Sequence, residues 1–494
     1  MDALSSREGV GLRRAQVEQF AGALRGECLG PGSAGYEDAR RVYNAMIDKR
    51  PGVIARCVDV ADVMAAVKLA GSLGLDIAVR GGGHNGGGLG VVDEGLVIDL
   101  SLMRGVRVDP TRRTAQVAAG TLLAEVDHAT HAFGLAAPFG IIGTTGVGGL
   151  TLGGGVGHLT RLLGLSIDNL LEADVVLADG SFVRTNEDEH PDLFWALRGG
   201  GGNFGVVTSF TFRLSPVSSV FFGPMLWPLD RAADVLSWYR GFIGKQPDGL
   251  NGFFAFLTVP PVAPFPPELH MRKMCGVVWC SVVGRSETDA LLRPARALKP
   301  ALDGVMEVPF PVAQGAFDAL YPPGYQWYWR ADYVAEIPDA AVERHVEFAR
   351  ALPTPFSTMH MYPCDGAAAR VKSDATAWSY RDAKWAQVIV GVDPDPKNAA
   401  RIRKWSVDYF DAIHPTSMGG AYVNFMMEEG QDRVRSAYRG NYDRLARIKA
   451  KYDPENVFHV NQNIRPAGHA ALGAEAGSGS ARKAGGGKHR SPAK

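Results

Sequence analysis

Two glycine-dense stretches constrain this chain more than any other feature. The first runs Arg80-Gly81-Gly82-Gly83-His84-Asn85-Gly86-Gly87-Gly88. Apolar, strand-like residues flank it at 76–79 and 96–100. The second runs from Gly140 through Gly143, Thr144, Thr145, Gly146, Gly148 and Gly149, and continues as Gly153-Gly154-Gly155-Val156-Gly157. Glycine lets backbone N–H groups approach a ligand phosphate with no Cβ in the way. Two such loops with strand-like flanks predict a large, phosphate-bearing ligand. The lone histidine among the first set of glycines puts a nucleophilic nitrogen beside whatever the loop holds.

The first loop contains the spacing G-x-G-x-x-G at Gly81, Gly83 and Gly86. In a dinucleotide-binding Rossmann unit that spacing opens directly into a helix. Here residues 95–100 read Gly-Leu-Val-Ile-Asp-Leu, which is short, β-branched and strand-like. A nicotinamide Rossmann site is therefore disfavoured. A flexible linker is disfavoured too, because linkers lack flanking core strands.

With 494 residues the chain can bury two or three cores. Lysine plus arginine equals aspartate plus glutamate at 52 each, so no global charge draws it to nucleic acid or to an acidic membrane. Cys28, Cys57, Cys275, Cys280 and Cys364 are too scattered for a zinc site and read as buried free thiols. No metal is expected. Residues 1–8 carry no apolar signal core, and no run of about 18 apolar residues exists to span a bilayer. The expectation is a cytoplasmic protein with no membrane partner; nothing in the sequence sets its oligomeric state.

Hydrophobic periodicity predicts helices at 13–27, 62–73 and 121–133, and strands at 53–58, 76–79, 96–100 and 112–119. A hairpin follows at 172–182, turning on Asp179-Gly180. Residues 1–217 thus read as one α+β domain. Residues 218–419 read as a second, built on an antiparallel sheet with strands at 253–259, 276–283 and 387–392 and helices at 340–352 and 398–413. Such a sheet could wall a ligand pocket. Residues 420–467 read as a segment returning to the first domain, with one helix at 432–452. From 468 the chain is Gly, Ala, Ser, Lys and Arg and reads as a disordered basic tail.

These motifs together resemble the berberine bridge enzyme-like oxidases, which share the vanillyl-alcohol oxidase (PCMH) type of FAD-binding domain. The match runs from Tyr36 to Pro466. It rests on the first glycine loop, on residues 145–149 and 153–155, and on Asp168-Asn169-Leu170. It also takes in residues 192–207 (through Arg-Gly-Gly-Gly-Gly-Asn-Phe-Gly-Val-Val), Tyr422-Val423-Asn424, and Asp453-Pro454-Glu455-Asn456 leading to Asn461-Gln462-Asn463. Each is weak singly; their common order is specific. The resemblance implies an α+β fold, a PCMH-type FAD domain beside an α+β substrate domain. It implies FAD joined covalently through His84. Arg80, Gly81, Gly82, Gly83, Asn85, Ser101, Gly143, Thr144, Thr145, Gly148, Gly149 and Gly153 would hold the cofactor. Val207 would lie near its adenine end, and Asn461 and Asn463 near the flavin.

Three positions depart from the family pattern. A second, cysteinyl flavin link is common two residues before the threonine of the second loop; that position is Ile142, so a single link is expected. The tyrosine that often follows the triple glycine is Val156, and the final tyrosine of the Tyr-x-Asn-Tyr element is Phe425. With both tyrosines replaced, Tyr422 and His158 become the expected proton acceptors, because both are titratable and flank the flavin-side motifs. The implied chemistry is hydride transfer from a CH–OH or activated C–H group of a small molecule to flavin N5. Oxygen then re-oxidises the flavin, and Thr145 lines its route. A redox-neutral or cyclising flavoenzyme and a non-catalytic flavin-binding protein are the alternatives. The aromatic run at Trp327, Tyr328, Trp329 and Tyr333 suits either a stacking site or a core.

Overall fold

The computed structural model describes residues 14–468. The tail read at 468–494 falls, from 469 onward, outside the described residues. Two sheets form the N-terminal body. In the first, Val53–Arg56, Leu96–Asp99 and Ile77–Arg80 run parallel, with Glu27–Leu29 antiparallel at the edge. The first glycine loop therefore connects two parallel strands of one sheet and opens into no helix. The second sheet is antiparallel and five-stranded, in the order Val106–Asp109, Thr114–Ala118, Val206–Arg213, Leu170–Val176, Phe182–Thr185.

Local chemistry explains the boundaries. Helix Val60–Leu73 starts where Asp59, in extended conformation, accepts the Asp62 N–H at 3.1 Å. It stops at Gly74, whose φ of 63° is left-handed. Val63, Ala66, Val67 and Ala70 are its buried stripe, at the three-and-four spacing of one helix face. The second glycine loop does enter a helix, Val147–Gly153.

Residues 219–393 supply an eight-stranded antiparallel sheet. Its path is Leu302–Asp303, Ser219–Pro228, Lys273–Ser281, Leu250–Thr258, Thr358–Pro363, Trp385–Asp393, Gln326–Val334, with Met306–Pro309 also on Ser219–Pro228. Both faces are buried, so the strands read as long apolar runs with no polar alternation. Phe254, Phe256, Met359 and Met361 face one way, toward helices Ala232–Phe242, Asp339–Arg350 and Ala399–Ile413. Phe253, Ala255, Tyr362, Val388 and Val390 face the other way, into the core shared with the N-terminal body. Truncating either buried Phe of the helix face would cost about 3–5 kcal/mol.

Sequence periodicity misses five strands of this sheet, the long ones being Ser219–Pro228, Gln326–Val334 and Thr358–Pro363 and the short ones Leu302–Asp303 and Met306–Pro309; the aromatic residues at 327–329 lie in Gln326–Val334. The single helix expected at 432–452 is two, Gln431–Tyr438 and Tyr442–Tyr452. Arg439, Gly440 and Asn441 break it, with Arg439 at φ 45°. Asn441 then anchors the break by donating to the carbonyls of Ser373 and Thr376.

The C-terminal segment packs on the N-terminal body through a buried cation. Lys449 is fully buried and donates to the carbonyls of Asn203 (2.6 Å) and Phe458 (2.9 Å) and to the Asp453 carboxylate (2.5 Å). Asp453 in turn accepts the Val457 and Phe458 N–H groups. Asn203 closes the arrangement by donating to the Gln462 carbonyl and accepting from the Ile464 N–H. Lys449→Met keeps the stem and removes the charge, leaving the Asp453 carboxylate buried without its cation. The expected loss is about 3–5 kcal/mol of unfolding free energy, read by guanidinium denaturation followed by tryptophan fluorescence. An unchanged midpoint would show that the pair does not fasten the segment.

Candidate active site

The two glycine loops meet at one point. A Cβ on Gly82 would overlap the Gly146 backbone nitrogen, and a Cβ on Gly146 would overlap that of Gly82. Their crossing forms the floor of a cavity of about 320 Å³, in the range of small-molecule sites. The floor residues include Arg80, Gly81, Gly82, Gly83, His84, Asn85, Thr145, Gly148 and Gly149. Val207, Asn461, Tyr422, Asn424 and Phe425 line it from the body and the returning segment. The large sheet closes it with Trp327, Trp329, Thr358, His360, Tyr362, Val388 and Val390.

His84 is half-buried and held on three sides. Its Nε2 lies 3.0 Å from Thr144 Oγ1, and its Nδ1 is 3.5 Å from Thr145 Oγ1. Its ring stacks on Tyr43, with centroids 4.1 Å apart. Loss of hydration pushes its pKa down to about 4, so the imidazole is neutral and keeps a lone pair at neutral pH. Arg80 faces the cavity, but its guanidinium is spent: it pairs with buried Asp99 at 2.7 Å and donates to the Arg41 carbonyl. Ligand phosphates would therefore meet backbone N–H groups before a free cation.

Tyr422 is fully buried at the cavity edge. Its oxygen accepts the Gly155 N–H (2.9 Å) and the Asn424 side-chain amide (2.7 Å). Both donors favour the phenolate, yet burial outweighs them and pushes the pKa up to about 12. Asn461 donates to Gly202 and Phe458 carbonyls, while its own side-chain oxygen is buried and unpartnered.

Six other expected residues are not in the cavity wall. His158 does not reach it, contrary to the sequence reading. The chain turns after Gly157, and the His158 ring packs edge-on to Phe222 at 5.1 Å, between the body and the large sheet. Burial drives its pKa down to about 3, and its Nε2 has no partner. Gly143 is turned away, its N–H donated to Asp318 at 2.6 Å. Thr144 acts through His84. Ser101 donates its N–H to Asp99, one step behind Arg80. Gly153 abuts Asn424, and Asn463 stands beyond Asn461 with its side-chain oxygen also unpartnered. Sequence reading missed Tyr43, Tyr321, Thr358, His360 and Tyr362. The last three alternate with Met359 and Met361, a period-two signal that the short strand concealed.

The residues fit a flavin dinucleotide. The glycine crossing leaves room for a pyrophosphate against bare backbone, and the upper walls are apolar and aromatic. The orphaned Asn461 oxygen and the unpartnered indole N–H groups of Trp327 and Trp329 are polar atoms that a bound heterocycle would satisfy. Among the described residues, no group of three or more His, Cys, Asp or Glu is placed to hold a metal ion, and no helix is long and apolar enough to cross a membrane.

Comparison with known proteins agrees. Residues 51–186 match the FAD binding domain model, and residues 421–465 match the berberine and berberine-like model. The FAD-linked oxidoreductase YgaK of Bacillus subtilis is 32% identical over 440 residues, covering 87% of this chain and 95% of that protein. The (R)-6-hydroxynicotine oxidase of Paenarthrobacter nicotinovorans is 30% identical, covering 90% and 98%. The crystal structure of 6-hydroxy-D-nicotine oxidase from Arthrobacter nicotinovorans superposes with a TM-score of 0.80 at 26% identity, covering 90% of this chain and 98% of that one. FAD is thus the cofactor this cavity is built for, and the chain belongs to the berberine bridge enzyme-like family of FAD-linked oxidoreductases.

Proposed function

We propose that this protein is an oxidase whose FAD is bonded covalently to His84 and to no other side chain. The observation that carries this reading is His84 itself: a neutral imidazole, braced by Thr144 and Tyr43, on the floor of the cavity. Thr144 occupies Nε2, which leaves Nδ1 as the freer nitrogen for the link. Ile142 and not a cysteine lines the neighbouring wall, and none of the five thiols lines the cavity. Residues 1–217 and 420–467 hold the cofactor in this reading, and the sheet of residues 218–419 faces the substrate.

Bound FAD supplies a two-electron acceptor for a C–H bond of a small molecule and passes those electrons to O2, giving hydrogen peroxide. The protein's share is to fix the ring, exclude water and take a proton. Tyr422 is the proposed proton acceptor, acting as the phenolate, so its own proton must leave the buried hydroxyl before the substrate's is taken. It faces the cavity, and the Gly155 and Asn424 donors are already aimed at the oxygen that would carry negative charge. Thr145 lines the floor beside His84, at the position the family resemblance gives to the oxygen route.

The covalent link and the phosphate cradle are separable. Wild-type protein should carry its yellow colour into an acid-precipitated pellet. His84→Ala should release all flavin on acid treatment yet still purify with a fraction of it. Gly82→Ala should purify nearly colourless, because overpacking of this kind costs about 1–3 kcal/mol or more where backbone meets backbone. The ratio of flavin to protein absorbance reads all three. A colourless wild-type pellet would remove the role given to His84. Tyr422→Phe should slow anaerobic flavin reduction by about 10²-fold or more, the scale of general-base catalysis, at unchanged flavin content. Stopped-flow reduction at the wild-type rate would place the base elsewhere.

A further inference from the structure

Above the glycine floor, six rings form a closed circuit. Trp327 contacts Tyr321 at 5.8 Å between centroids, Tyr321 contacts His360 at 6.3 Å, and His360 contacts Tyr362 at 5.5 Å. Tyr362 contacts Phe425 at 5.7 Å, Phe425 contacts Trp329 at 6.5 Å, and Trp329 returns to Trp327 at 6.3 Å. All six line the cavity. They come from the large sheet, from the loop that precedes its strand Gln326–Val334 and from the returning segment, so the circuit exists only when these parts are assembled.

The wall has few free polar atoms, and the buried indole N–H groups of Trp327 and Trp329 are among them. The Thr358 hydroxyl is spent on the Phe256 carbonyl at 2.6 Å. The Tyr362 hydroxyl and His360 Nδ1 share a hydrogen bond of 2.6 Å that either can donate. Among the described residues, His360 Nε2 has no protein partner. Arg80 is the one charged side chain among the described residues lining the cavity, and Asp99 neutralises it. A polyhydroxylated substrate would lose its hydration here for a few scattered donors, the two indole N–H groups among them, and a charged one would find no unpaired counter-charge. A flat ring would find stacking and edge contacts on every side.

We infer that the substrate is a neutral molecule built on an aromatic or heteroaromatic ring, seated in the six-ring circuit with one polar group held by His360 Nε2. The inference rests on the oxidase reading for its site but not for its test. His360 is a specificity-determining residue here. Tyr362 fixes its ring, and because either atom of that pair can donate, Nε2 can accept from a hydroxyl or donate to a carbonyl.

The test measures binding by calorimetry on the holoenzyme with its flavin reduced by dithionite under anaerobic conditions, so that no hydride acceptor is present and turnover does not intrude. The set is 4-methoxyphenol, 4-methylanisole (the ring without the hydroxyl), 4-methoxybenzoate (the ring with a charge) and cellobiose. 4-Methoxyphenol should bind at least about tenfold tighter than 4-methoxybenzoate, since the cavity offers no unpaired counter-charge for a carboxylate. Cellobiose should show no saturable binding. His360→Leu, at wild-type flavin content, should weaken 4-methoxyphenol by about threefold to tenfold, the worth of one hydrogen bond, and leave 4-methylanisole unchanged. Tighter binding of cellobiose or of the carboxylate to wild type would overturn the inference whatever the variant does. Equal loss of both neutral ligands in His360→Leu would remove the anchor assigned to His360. Saturable phenol binding in a protein that makes no peroxide from any ring-bearing alcohol would support this inference and sink the oxidase reading alone.

Discussion

The site depends on two backbones passing closer than any side chain permits. At Gly82 and Gly146 the N–H of each loop occupies the place where a Cβ of the other would stand. This contact sets the depth of the cavity floor. It also brings Thr144 and Thr145 of one loop against His84 of the other. The strands behind the loops have different partners: Ile77–Arg80 lies in the parallel sheet, while Gly146 leads into helix Val147–Gly153. The crossing therefore clamps two elements that no strand pairing joins. Any residue other than glycine at either position would separate the imidazole from its threonines.

The floor was legible in the sequence because glycine density is a local signal with a local cause. His84, Thr145, Gly148, Asn461 and Tyr422 could be placed by motif, and the cavity gathers them. The roof was not legible. Thr358, His360 and Tyr362 reach the cavity because their strand has both faces buried, one by Met359 and Met361 and one by the ligand space. A six-residue strand flanked by Ser357 and Cys364 offers too short a pattern for a period to declare itself. His158 fails for a related reason. Its distance along the chain from the triple glycine is small, but the turn at Gly157 swings it to the far side of the wall, where Phe222 covers it. Proximity in sequence predicts the loop and not the side a residue faces.

The cavity belongs to no single part of the chain. Residues near 43, 80–90, 140–156, 201–210, 321–329, 358–362, 388–390, 422–425 and 458–462 all border it. The segment most remote in sequence is fastened by the most buried ion pair, Lys449 with Asp453, which orients the backbone carrying Asn461 and Gln462. Burying that charge is costly, and it is offset by three acceptors for one ammonium. Such an arrangement fixes one geometry in place of a range of near ones, as positioning a planar cofactor requires.

Electrostatics then sets the character of the chemistry. The imidazoles of His84 and His360 are both held neutral by burial, with pKa values pushed down to about 4 and about 3. Tyr422 is held neutral in the opposite sense, near 12. Arg80 is cancelled by Asp99. A cavity with no net charge and few free dipoles penalises any isolated ion formed inside it. A substrate hydroxyl that shed its proton ahead of its C–H electrons would leave an anion facing only rings and backbone. Tyr422 is the exception in that wall, since two N–H donors already point at its oxygen and can support charge there. The same neutrality that selects uncharged ring compounds at the roof thus confines proton transfer to the one oxygen whose phenolate form the protein solvates, once that oxygen has given up its own proton.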